Sequence, residues 1–119
     1  SLDKALKETP DLVIAHEERG ESLWQLGRRR EATKTWADAV DSNESLVLAN
    51  YMLAGVAETL NDTEEMEAYE AQAAKYTPND PYFHWMVGQR LQNVGMKPSA
   101  ERHFKKATEL DPGFDSTRR

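Results

Sequence analysis

GQRLQNVGMKPSAERHFKKATELDP, residues 88–112, is the stretch whose reading decides the fold. Gly88 and Ala107 place small side chains near its two ends. Gly95 and Pro98 divide it into two amphipathic halves, and Asp111-Pro112 closes it. Shifted back by 34 residues, the same columns return as Ala54, Asn61 and Ala73. A further 34 gives Gly20, Gly27 and Ala39, and Ala5 continues the alanine column towards the start. A period of this length means stacked helix pairs, each burying its apolar stripe against its neighbours, rather than one globular core.

Three full units follow from the alignment, residues 13–46, 47–80 and 81–114, with a partial unit over 1–12. The small columns Gly20/Ala54/Gly88 and Ala39/Ala73/Ala107 let two helix backbones approach closely as an antiparallel pair. Apolar columns run between them at Leu23/Ala57/Leu91, Leu26/Leu60/Val94 and Trp36/Glu70/Phe104. Gly27/Asn61/Gly95 can take the left-handed conformation that ends a helix. Asp80-Pro81 reads as an N-cap with proline at the first helical position, and Lys97-Pro98 places proline similarly. Asp62, Glu64, Glu65 and Glu67 crowd a first turn, where the helix dipole favours acids. The expected helices are 13–26, 30–42, 47–60, 63–76, 81–94 and 98–110, with Thr9-Pro10 as a turn and residues 1–8 as an orphaned second helix.

On Gly88, Leu91, Gly95, Ala100, Phe104, Ala107 and Asp111-Pro112 the third unit resembles the tetratricopeptide repeat family. The resemblance implies an all-α α-solenoid of antiparallel helix pairs, three full units preceded by an orphan second helix. The first two units depart from the pattern. Arg19 stands where a large apolar residue is usual, Glu70 replaces an aromatic, and His16, Asn50 and His84 share a column usually held by tryptophan. Trp24 and Tyr69, each one step from a core column, can fill those gaps. The partial units at both ends read as a segment of a longer array, or as an array that pairs with another copy.

Composition narrows the function. A net charge of -6 argues against nucleic acid, which calls for a basic stripe, and against an anionic membrane surface. No apolar run approaches the roughly 20 residues of a membrane span, and no signal-peptide pattern opens the chain. The chain has no cysteine, which excludes disulfides and thiolate chemistry but leaves the compartment open. His16 and His84 lie two units apart and cannot share a metal; they read as repeat-column residues bonding between helices. No phosphate loop, HExxH helix or EF-hand spacing is present, so neither a cofactor, a metal nor catalysis is expected. Arg28, Arg29 and Arg30 at a mid-unit turn read as a solvated run, with phosphate or an acidic tail as the other possibility.

The resemblance implies that first helices line a concave surface where partners bind. Helical spacing puts Glu17, Glu21 and Trp24 there in the first unit, Leu48, Tyr51 and Met52 in the second, and Tyr82, Trp85, Met86, Gln89 and Asn93 in the third. Aromatics and methionines offer the large, adaptable contact area that binding surfaces favour. Family members that grip acidic chaperone tails use lysine, arginine and asparagine on this face. Glu17, Glu21, Met52, Tyr82 and Met86 stand at the matching places, so such a carboxylate clamp is rejected. The expected partner is a protein or peptide, apolar or mildly basic, held as a peptide or helix in the groove. The other readings are self-association through uncapped ends into a homo-oligomer, and an accessory region of a larger enzyme.

Overall fold

A computed structural model describes residues 10–114 of the chain. These residues form helices and turns, with no strand among them. The helices are α1 (Pro10–Gln25), α2 (Arg29–Ser42), α3 (Val47–Thr59), α4 (Thr63–Ala74), α5 (Pro81–Asn93) and α6 (Lys97–Leu110). They pack as consecutive pairs, α1 on α2, α3 on α4 and α5 on α6, and α2 also packs on α3. The chain forms two compact units, the first carrying α1–α4 and the second α5 and α6. The expected helix over 1–8 lies outside the described residues.

Within each pair the connection is the same backbone motif at 34-residue spacing. Gly27, Asn61 and Gly95 have φ of 84°, 60° and 79°. The amide after each reaches back to a carbonyl of the last helical turn: Arg28 to Leu23 at 2.8 Å, Asp62 to Ala57 at 2.9 Å and Met96 to Leu91 at 3.0 Å. Gly27, Asn61 and Gly95 themselves donate to Trp24, Glu58 and Gln92. These are Schellman closures, which satisfy carbonyls that the helix end leaves open. Asparagine is among the few residues besides glycine that enter the left-handed region at little cost, so Asn61 keeps the motif where the glycine is missing.

Helix starts follow the caps only in part. Asp80 accepts from Tyr82 N at 3.0 Å with Pro81 behind it, and Asp62 accepts from Glu65 N at 3.1 Å. Helix α1 already includes Pro10, ahead of the expected start at residue 13, while the Thr9 half of the expected Thr9-Pro10 turn lies outside the described residues.

The small columns are buried throughout: Ala39 and Ala73 are fully enclosed and Ala107 and Ala54 nearly so. Their partners explain the glycines. A Cβ at Gly20 would lie 2.7 Å from Trp36 Cδ1, and one at Gly88 would lie 2.6 Å from Phe104 Cε1. Each aromatic sits sixteen positions after its glycine, on the facing helix. The apolar column Leu26/Leu60/Val94 holds only at Val94. Leu26 and Leu60 are each 72% exposed, whereas Val94, which precedes Gly95 in the same way, is buried.

Candidate interaction surfaces

In unit 1 the residues expected to meet a partner are largely committed to the protein itself. Glu17 Oε2 accepts from Ala49 N at 2.9 Å, and the Glu17 carbonyl accepts from Trp36 Nε1 at 3.3 Å. Leu46, at the N-cap of α3, has no side-chain acceptor to offer. A carboxylate from α1 therefore closes the first turn of α3, where the helix dipole adds to the hydrogen bond. Glu21 is buried. Trp24 is buried too, its ring 5.9 Å from that of Trp36 and beneath the Arg29 guanidinium at 4.7 Å. Trp24 thus fills a gap in the core, as its place one step from a core column allows.

Helix α3 is buried over residues 49–57 without a break. Its sequence has small or apolar side chains on every side, the pattern of a helix enclosed all round. Met52 is fully enclosed and Tyr51 is 5% exposed, while Leu48 is half-buried. The period locates a face but not the number of elements covering it. For Met52 no surface remains to offer a partner.

Unit 2 differs. Tyr82 and Trp85 stack with ring centroids 5.6 Å apart and planes inclined by 30°. Both remain partly exposed, as do Met86 and Gln89, and Asn93 is exposed. The five lie along α5 after the Asp80–Pro81 start, so the expected cluster survives here as surface.

The column His16/Asn50/His84 is polar and buried at its last two members. Asn50 Nδ2 donates to the carbonyls of Glu44 and Leu46, at 3.0 and 2.8 Å. His84 Nδ1 lies 3.2 Å from His103 Nδ1, with the rings stacked at 5.5 Å. One nitrogen must carry a proton and the other accept it, which joins α5 to α6 through a pair of neutral rings. Burial, then the His84 ring, then Arg102 push the His103 pKa down to about 4. His84 is lowered by burial and by Lys106, against the opposing pull of Asp80. The partner of His84 is therefore nineteen residues on rather than another unit away. Among the described residues no group of three or more His, Asp or Glu side chains is placed to hold a metal ion. No described helix is long and apolar enough to cross a membrane.

A groove of about 500 Å³ that the sequence did not indicate opens in unit 1. Trp24, Val56 and Leu60 contribute apolar surface to it, and Arg29, Arg30 and Lys34 stand at its rim.

No protein-family model and no curated protein matches the chain.

Proposed function

We propose that the chain is a protein-interaction module of the tetratricopeptide repeat kind, which holds an apolar peptide or helix against the face of α5 that carries Tyr82, Trp85 and Met86. The observation that carries this reading is the aromatic pair Tyr82 and Trp85, stacked yet partly exposed, with the partly exposed Met86 next to it on α5. A rigid aromatic platform with an adaptable thioether gives large contact area with little side-chain entropy to lose. Gln89 and Asn93 add amide donors and acceptors farther along the same helix. A preference for basic partners has less support, since Glu17 caps α3 and Glu21 is buried.

The test is a selection of random dodecapeptides on the intact chain, repeated on Trp85→Ala/Met86→Ala. The wild type should enrich apolar peptides that the variant loses, while helicity by circular dichroism stays the same. Equal enrichment on both proteins would show that α5 is not the binding face.

A further inference from the structure

We infer that the groove of unit 1 is a second docking surface, which takes an acidic peptide segment carrying a bulky apolar side chain. It is formed by the end of α1, the start of α2 and the end of α3, and it is independent of the α5 reading. A groove of about 500 Å³ with apolar walls and a few convergent polar groups is of the size that binds ligands.

Charge identifies the occupant. The chain carries 21 acidic and 15 basic residues, yet no acidic residue lines this groove and three basic ones do. Arg29 lies across the Trp24 ring at 4.7 Å, which fixes its guanidinium at the rim. Among the described residues Arg30 has no ion-pair partner. Lys34 is held by Asp38 at 3.2 Å, but both side chains are exposed, so that pair exchanges readily for another carboxylate. Leu60, which lines the same groove, stands 72% exposed. An acidic segment satisfies the rim, and its apolar side chain covers Leu60 and reaches the floor.

A second copy would have to bring an acidic stretch such as Glu64, Glu65 and Glu67 of α4, whose Met66 and Tyr69 are only partly exposed, and concentration-dependent dimerisation is the outcome that would reveal it. Nucleic acid calls for a longer basic stripe than three cations in an acidic chain supply.

The test uses the same dodecapeptide selection on the full chain, with Arg29→Gln/Arg30→Gln/Leu60→Ser as the comparison protein. Wild type should enrich a class in which Asp or Glu flanks Leu, Ile, Phe or Trp, and the triple variant should lose it. A synthetic member of that class should bind the variant about tenfold more weakly, with affinity falling as salt rises. The class should persist on Trp85→Ala/Met86→Ala, which separates this groove from the α5 face. Should the triple variant lose helicity, Arg30→Glu alone, at an exposed residue, is expected to abolish the class. Enrichment without acidic residues, or equal enrichment on wild type and variant, overturns the proposal. So does competition by a 20-base-pair DNA duplex, or concentration-dependent dimerisation that the same substitutions remove.

Discussion

In α1·α2 and α5·α6 a glycine faces an aromatic ring, Gly20 against Trp36 and Gly88 against Phe104, whereas in α3·α4 the same two columns hold Ala54 and Glu70. The difference shows what the small-residue column is for. Glycine is needed where a ring from the facing helix occupies the space of a Cβ, and where the ring is replaced a Cβ returns. The departure at Glu70 and the alanine at Ala54 are thus one change. In the middle pair α3 is buried over residues 49–57, and the carboxylate of Glu17 ties its first turn to α1.

The largest effect should come from emptying the aromatic side of this contact. Trp36 is fully enclosed, so Trp36→Ala should remove about 3–5 kcal/mol from urea unfolding. A loss below about 1 kcal/mol would mean that the ring is not what separates the outer pairs from the middle one.

The histidine pair sharpens the comparison from the other side, because only α5·α6 carries it among the described residues. Both imidazoles have lowered pKa values, so between the folded value for His103, about 4, and the unfolded value of 6.5, the unfolded chain binds more protons. Stability is therefore full above pH 6.5 and falls as the pH drops towards 4. The loss should be on the order of 3 kcal/mol for His103. Amide hydrogen exchange in α5 and α6 at pH 7 and pH 4.5 should show it there, with smaller changes in α1·α2.

Two smaller effects test the tie between α1 and α3 and the rim. Glu17→Ala leaves the Ala49 amide without its acceptor and should cost about 1 kcal/mol, with Glu17→Gln costing less. Faster exchange at Ala49 would accompany the first substitution; an unchanged Ala49 amide would rule out the cross-helix cap. Arg30→Ala should leave the unfolding midpoint within about 0.5 kcal/mol of wild type, since it affects only the docking groove.

Much of this architecture was legible in the residues. The left-handed positions Gly27, Asn61 and Gly95 were marked by residue type, and the buried alanines by their period, because both are local or strictly periodic requirements. Helix boundaries fell close to expectation except that α1 already includes Pro10. Of the expected site, the Tyr82, Trp85 and Met86 cluster keeps its surface, while Met52, Tyr51, Trp24 and Glu21 are buried. Helical period gives direction, not depth, so it could not distinguish an exposed face of α3 from one enclosed by neighbours. The His84–His103 bond and the Glu17 cap join residues nineteen and thirty-two positions apart on different helices. They emerge only when the helices are docked, and so does the groove edged by Arg29 and Arg30.

The most direct test of the paired columns is a double-mutant cycle on Gly88→Ala and Phe104→Leu, followed by urea unfolding. Gly88→Ala alone should destabilise by about 1–3 kcal/mol, since the new methyl meets the Phe104 ring. In the Phe104→Leu background most of that loss should vanish, giving a coupling of about 1 kcal/mol or more. Effects that add to within about 0.5 kcal/mol would contradict the account.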